Sequence, residues 1–344
     1  MGTRRIGFAR WTSDQPSGGN RYDAELADRL PGCGIDLHEY PVAGPWPLPG
    51  PGDVDRLLAV LPSERHWLIG NILGSAAPQA LRAVRAAGGR VTLLVHYFPA
   101  DDPALPAAAR GRLAEGEAEA VELADAVVVT SEWAAGEVAR RYRRTDVTVA
   151  PPGVEAAPPA TGSLPLGSAP ALLWLGRLTA TKDPLTFLSA LHLVRELPWT
   201  ARLVGPDAVE PSVSRQVTHR IEATGLAGRV AVTGPRVGPA LEAVWGATDL
   251  LVHTSRAETY GMVVAEALAR GIPAVVASGT GAVEALRVGA AFPAGDPAAL
   301  AEVLRGWLAD PVRQHRWRTE AARLSADRPT WQATAEAVAT ALAG

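Results

Sequence analysis

Two stretches of the chain combine residue types able to act on a phosphate-bearing ligand. The first is Leu175-Gly176-Arg177-Leu178-Thr179-Ala180-Thr181-Lys182-Asp183-Pro184, where a strand-like run empties into a loop carrying an arginine and a lysine. Arginine offers a planar two-pronged donor and lysine a mobile point charge, a combination suited to a diphosphate. Lys182 also precedes a helix start, where a cation opposes the helix dipole unless an anionic ligand belongs there. The second stretch runs from His253 to Val276. A strand ends near His253, Glu258 stands in the following loop, and Gly261 permits a tight turn into a helix. The amides of Tyr260, Gly261, Met262 and Val263 then become first-turn donors, an anion site backed by the positive end of the dipole. Glu266 lies further along the same helix, placed to accept hydrogen bonds from hydroxyls such as a ribose pair. Either glutamate alone reads more simply as an ordinary helix-start carboxylate, whereas the first stretch alone, with its cation at a helix start, favours an anionic ligand over a solvated charged loop. It is the combination that points to chemistry.

Short apolar strands alternating with longer Ala-, Leu-, Arg- and Glu-rich segments must position these residues. Strands are expected at Arg5 to Ala9, Ile35 to Tyr40, Trp67 to Gly70, Val91 to His96, Ala126 to Thr130 and Val147 to Ala150. Helices are expected at Tyr22 to Leu30, Ala77 to Ala87, Ala109 to Ala124 and Glu132 to Tyr142, the last capped by Thr130-Ser131. Pro151-Pro152-Gly153 opens a stretch dense in Pro, Gly, Ser and Thr up to Ala169, which marks a domain boundary. The alternation then restarts, with strands at Ala171 to Leu175, Arg202 to Val204, Val230 to Val232, Leu250 to His253, Ala274 to Val276 and Ala290 to Phe292. Pro329 breaks the chain before a last helix, Trp331 to Ala343. Strand–helix–strand order with continuously apolar strands implies parallel sheets, hence an α/β protein of two doubly wound domains. Ligands of such domains sit at the carboxyl ends of the strands, and two domains facing each other would enclose a cleft.

Composition narrows the class. The chain has 344 residues, 47% of them hydrophobic, a formal net charge of −3 and a single cysteine, Cys33. This length implies two domains, and the charge leaves no footprint for nucleic acid. One cysteine forms no intramolecular disulfide. No apolar run approaches the roughly 18 residues needed to span a bilayer. No signal peptide follows Arg4 and Arg5, since Trp11, Thr12, Ser13 and Asp14 interrupt any apolar stretch, so a cytoplasmic location is expected. Gly279-Thr280-Gly281-Ala282-Val283-Glu284 approaches a dinucleotide fingerprint but puts a glutamate where a small residue is required. There is no P-loop, no nucleophile elbow and no His pair at helical metal-ligand spacing. Asp53-Val54-Asp55 follows Pro-Gly and is explained by helix-start charge rather than by a metal.

The Gly-Arg-x4-Lys segment, Glu258-x7-Glu266 and Gly271-Ile272-Pro273-Ala274-Val275-Val276 together resemble retaining glycosyltransferases of the GT-B fold, family four. The resemblance spans nearly the whole chain. Pro16 to Tyr22 is similar to that family's Gly-Gly-Asn-x-Tyr opening, and Pro151 to Glu155 to its interdomain Pro-Pro-Gly-Val-Asp. Val230 to Gly234 and Ala247-Thr248-Asp249-Leu250 match its nucleotide-pocket strand and the approach to the Glu motif. The usual Phe-Gly after the first glutamate is Tyr260-Gly261 here, and the first domain looks trimmed around Pro41 to Asp53.

The resemblance implies an N-terminal acceptor domain over residues 1–152, a nucleotide-sugar domain over 153–328, and a final helix, 329–344, crossing back. It implies that Arg177 and Lys182 bind the donor diphosphate, Glu258 the sugar hydroxyls and Glu266 the ribose, with the Tyr260 to Val263 amides on sugar and phosphate. Gly19 would close over the diphosphate, His96 would lie near the sugar, and Gly234, Pro235 and Arg236 would border the base. Retention by same-face attack then needs no carboxylate nucleophile and no metal. The implied reaction moves a sugar from a UDP- or GDP-sugar to a small, soluble acceptor. A nucleotide-sugar epimerase and a non-catalytic nucleotide-sugar binder are the alternatives. Asp36, Asn20, Asn71, Tyr97, Phe98 and Asp101 are the candidates for the acceptor pocket. High Ala, Gly, Pro and Arg content suggests a GC-rich bacterial source.

Overall fold

A computed structural model describes residues 4–13, 17–163 and 168–344. Pro16 of the opening motif and residues 164–167 of the boundary segment lie outside the described residues. The chain divides into two compact units: Met1–Gly153 with Pro329–Gly344, and Val154–Arg328.

The first unit is built on six strands: β1 (Arg4–Trp11), β2 (Ile35–Val42), β3 (His66–Gly70), β4 (Arg90–Val95), β5 (Ala126–Val129) and β6 (Val147–Val149). They form one sheet in the order β2-β1-β3-β4-β5-β6, and every pairing is parallel. All five residues of β3 are buried, as expected of a strand covered on both faces. Ser17 accepts from Asn20 N–H (3.1 Å) and starts a helix at Gly18, four residues ahead of the sequence expectation. Ser131 caps the helix Glu132–Tyr142 through Ala134 N–H (2.9 Å). Asp53 takes the Gly50 N–H (2.8 Å) at the start of the helix Pro51–Val60, the structural role its position suggests. The last helix, Trp331–Ala343, belongs to this unit. Thr334 donates to Pro151 O (2.6 Å), and Trp331 meets the edge of Tyr22 with centroids 5.7 Å apart.

The second unit repeats the plan with β7 (Ala171–Leu175), β8 (Thr200–Val204), β9 (Val230–Val232), β10 (Leu250–His253), β11 (Ala274–Ser278) and β12 (Gly289–Pro293). Their order is β12-β11-β10-β7-β8-β9, again all parallel. Period-two alternation splits the central strands between two cores. Leu172, Trp174, Leu250 and Val252 pack on one face with Phe187 and Leu304. Leu173 and Leu251 pack on the other with Val264 and Ala267. Both faces of the central strands are therefore apolar, and polar chemistry is confined to the strand ends.

Candidate functional site

The carboxyl ends of β7, β8 and β9 are stitched together by backbone bonds. Gly176 N–H donates to Val204 O (2.9 Å), Leu178 N–H to Pro206 O (2.9 Å) and Gly205 N–H to Gly234 O (3.0 Å). A Cβ on Gly205 would lie 1.9 Å from Gly176 O, so only glycine allows this approach. Arg177, half-buried, leaves this seam with its guanidinium meeting no acceptor among the described residues. Gly234 turns with φ +66° beside it, while Pro235 and Arg236 are exposed.

Lys182 is placed by its neighbour. Asp183 caps the helix Pro184–Leu193 from a left-handed conformation, φ +51°, accepting from Thr186 N–H (3.1 Å) and Thr186 Oγ1 (2.7 Å). Such a conformation costs about 1–2 kcal/mol outside glycine. The cap offsets it, together with the charge-assisted bond from Arg256 Nε to Asp183 Oδ2 (2.7 Å). Thr254, fully buried, shares its hydroxyl proton between Lys182 O (2.9 Å) and Asp183 O (2.8 Å) while accepting from Trp174 Nε1 (2.9 Å). Arg256 N–H adds a bond to Thr181 O (2.8 Å). The loop of the first motif is thus fastened onto the exit of β10.

That fastening brings Lys182 onto Glu258, whose Oε1 accepts from Lys182 Nζ. His253 Nε2 lies 3.2 Å from the same oxygen, outside the alignment of a good hydrogen bond. Burial works to raise the Glu258 pKa. Lys182 and His253 outweigh it and hold the carboxyl well below its usual range. Glu258 is therefore an anion throughout the neutral range, held within reach of two nitrogen bases.

Gly261 (φ +82°) precedes the helix Met262–Ala269, in which Val264 N–H first bonds back, to Gly261 O (2.9 Å). The amides of Met262 and Val263 thus open the helix ahead of its own ladder. Gly281 N–H donates to Glu258 O (2.8 Å), and a Cβ there would lie 2.2 Å from Thr259 O. The near-fingerprint at 279–284 is a brace under the Glu258 loop. Glu266 sits one turn into the helix, and Arg270 Nη1 bonds its carbonyl (3.0 Å). Tyr260 is buried, its hydroxyl pushed up to about 12 chiefly by desolvation. Sequence reasoning named Arg177, Lys182, Glu258 and the helix start. It passed over His253, Thr254, Asp183 and Arg256. A histidine closing an otherwise aliphatic strand five residues before Glu258 was the available signal for the first of these.

In the first unit, β4 stops at Val95 and releases His96, whose Nε2 lies 3.2 Å from Asp23 Oδ1. A Cβ on Gly19 would come within 3.3 Å of the His96 ring, so these two candidates meet. Asn20 donates to Ser13 O (3.2 Å). Asn71 is buried and donates to Tyr97 O, which ties down the loop after β4. Phe98 is buried against Trp133, centroids 6.3 Å apart, and under the Arg141 guanidinium at 4.5 Å. Asp101 is clasped by Arg141 (2.7 and 3.0 Å). Phe98 and Asp101 are thus engaged within the fold. Asp36 lies at the amino end of β2, the wrong edge for a ligand of a parallel sheet, and faces His38 at 3.3 Å.

Two doubly wound parallel units define an α/β protein of the GT-B fold. Sucrose-phosphate synthase from Thermosynechococcus elongatus superimposes with a TM-score of 0.79 at 19% identity, over 96% of each chain. The Anabaena HepE protein, solved in complex with UDP and glucose, does so with 0.76 at 20% identity over 99% of each. A family model described as glycosyl transferases group 1 matches residues 169–310. D-inositol 3-phosphate glycosyltransferase 1 from Catenulispora acidiphila is 30% identical over 288 residues, 77% of this chain and 66% of that one. Mannosylfructose-phosphate synthase from Agrobacterium fabrum is 33% identical over 124 residues, 34% of this chain and 27% of that one. The chain belongs to the group 1 glycosyltransferases. It spans between about half and two thirds of the length of the first curated relatives it matches.

Proposed function

We propose that the protein transfers a sugar, with retention and without a metal, from a nucleoside-diphosphate sugar to a hydroxyl of a small acceptor. The observation that carries this reading is the meeting of Lys182, Glu258 and His253 at the end of β10, beside the amides that open the helix Met262–Ala269. Negative charge grows on the leaving diphosphate as its bond to the sugar breaks. Arg177, Lys182 and the helix start stabilise that charge, which is the work a metal would otherwise do. Glu258, an anion in this setting, accepts hydrogen bonds from the sugar hydroxyls and faces the positive charge that develops on the ring. Glu266, one turn further in, is assigned to the ribose, and Gly234, Pro235 and Arg236 to the base. The departing phosphate takes the acceptor's proton, so no second carboxylate is required. His96 and Gly19 of the first unit are assigned to the sugar and diphosphate from the acceptor side. A structural neighbour solved with UDP and glucose supports the donor class. No described helix is long and apolar enough to cross a membrane, which suits a small acceptor met in solution, in the cytoplasm.

Calorimetric titration with UDP, GDP, ADP and NAD, each with and without magnesium, tests this. One nucleoside diphosphate should bind equally well with and without the metal. Binding to none, or to NAD alone, would overturn the donor assignment.

A further inference from the structure

Asp23 is a buried carboxylate to which the proposed chemistry gives no task. It lies in the second turn of the helix Gly18–Arg29, is 3% exposed, and pairs with no arginine or lysine among the described residues. It meets His96, whose Nε2 lies 3.2 Å from Asp23 Oδ1. The helix turns three residues toward that ring, and their i, i+3, i+4 spacing puts them on one face. Gly19 passes the ring with no side chain between them: a Cβ there would lie 3.3 Å from Cε1 and 3.4 Å from Nδ1. Tyr22 meets the imidazole in an edge arrangement, centroids 6.1 Å apart, and is anchored by its hydroxyl donating to Ala150 O (2.8 Å). Asp23 takes Nε2.

Burying a carboxylate carries a desolvation cost that a neutral amide avoids, and an asparagine would bridge the same gap. What only the carboxylate does is accept without ever donating, so the proton between the two side chains belongs to Nε2. A neutral imidazole that holds its proton on Nε2 presents Nδ1 as an acceptor. We propose that Asp23 is a positioning residue, fixing His96 as the Nε2–H tautomer so that Nδ1 accepts a hydrogen bond from a hydroxyl of the donor sugar. Glycine at position 19 keeps side-chain bulk off that nitrogen. This rests on the assignment of His96 to the sugar.

Nitrogen-15 magnetic resonance on the full chain, labelled at histidine, reads the tautomer, because protonated and bare ring nitrogens resonate far apart. The His96 signals, among those of seven histidines, are assigned by their loss in His96→Gln. At neutral pH the wild type should show a proton on Nε2 and a bare Nδ1. Asp23→Asn keeps the shape but is able to donate, and should lose that single form. Asp23→Glu, still acceptor-only, should keep it. A proton on Nδ1 alone, an imidazolium, or the wild-type pattern surviving in Asp23→Asn would overturn the proposal. The wild-type spectrum decides the tautomer even where a variant fails to fold.

Calorimetry then links the nitrogen to the sugar. Whichever of UDP and GDP binds is compared with its sugar conjugates: UDP-glucose, UDP-galactose and UDP-N-acetylglucosamine, or GDP-mannose. In Asp23→Asn the affinity that a sugar adds should fall by up to about tenfold, the worth of one hydrogen bond. Affinity for the bare diphosphate should change less than about threefold, and Asp23→Glu should recover the sugar's share. An equal loss for diphosphate and conjugate, or no sugar contribution in the wild type, would overturn the proposal. Failure of every nucleoside diphosphate to bind is a distinct result. It removes the donor assignment and with it the sugar contact, whereas the tautomer result stands by itself.

Discussion

Glu258→Gln separates the two roles assigned to this carboxylate, because it removes charge while keeping shape. Lys182 donates to Glu258, with the two side chains 22% and 15% exposed. A hydrogen bond to a charged group contributes about 1.5–3 kcal/mol, and a neutral one about half as much. The glutamine carbonyl still accepts from Lys182, so the net loss is about 1 kcal/mol. For a unit of this size that lowers the melting midpoint by about 2–4 °C. The same substitution releases Lys182 from an anion that competes with the donor. If breaking the pair costs about 1 kcal/mol on binding, the variant should hold UDP or GDP about fivefold more tightly. Turnover should move the other way, falling at least 100-fold, because the anion opposite the developing ring charge is gone. The pH dependence has a definite sign. Glu258 has a folded-state pKa below its ordinary value. Its stabilisation is therefore complete above about pH 4.3 and is lost as pH falls through the folded value. Glu258→Gln should accordingly flatten the acid limb of stability. Calorimetry, thermal melts at several pH values and a transfer assay read all three effects. Weakened nucleoside-diphosphate binding in Glu258→Gln, matching that of a Lys182 variant, would refute the competition between carboxylate and donor.

Three further substitutions address other parts of the argument. Lys182→Ala should weaken nucleoside-diphosphate binding at least tenfold. Lys182 is the single lysine among the chain's 33 lysines and arginines, so amine-selective labelling protected by UDP or GDP reports the same contact. Gly281→Ala puts a Cβ 2.2 Å from Thr259 O. It should displace the Glu258 loop and cut turnover at least tenfold while the circular dichroism spectrum stays native. Glu117, buried in the helix Ala107–Leu123, has its pKa raised to about 7, chiefly by burial, against the opposing pull of the Tyr142 hydroxyl and Arg141. An acid whose pKa is raised on folding binds extra protons in the folded state, so stability falls as pH rises from about 4.3 to 7. Glu117→Gln should remove that decline, and melting midpoints from pH 5 to 8 will show whether it does.

The sequence alone determined the parts of this protein that depend on local pattern. The twelve expected runs became twelve strands among the described residues; the central ones, such as β3 and β10, are mostly apolar and buried throughout, while edge strands such as β2 and β9 keep exposed residues and were legible from strand–helix alternation. Ser131 and Pro329 punctuated their helices where cap and break chemistry placed them. Arg177, Lys182 and Glu258 were legible because each sits in a loop directly after such a run, and in parallel sheets those loops share one edge. The exact helix start at Gly18 and the helix Asn71–Ala76 were not legible, since neither carries an extended amphipathic pattern. Residue pairings across the chain were decided by tertiary structure alone. Lys182 and Glu258 are 76 positions apart, and they touch because Thr254, Arg256 and a strained Asp183 fasten one loop to the other. His253 reads in sequence as the last residue of a strand and becomes a neighbour of Glu258 only in the folded chain. Phe98 and Asp101 carry acceptor-like chemistry by type, yet one is covered by Trp133 and the other held by Arg141. Side-chain type and spacing fix what a residue can do, whereas the partner it meets depends on how distant loops converge at a sheet edge, and that is a property of the whole fold.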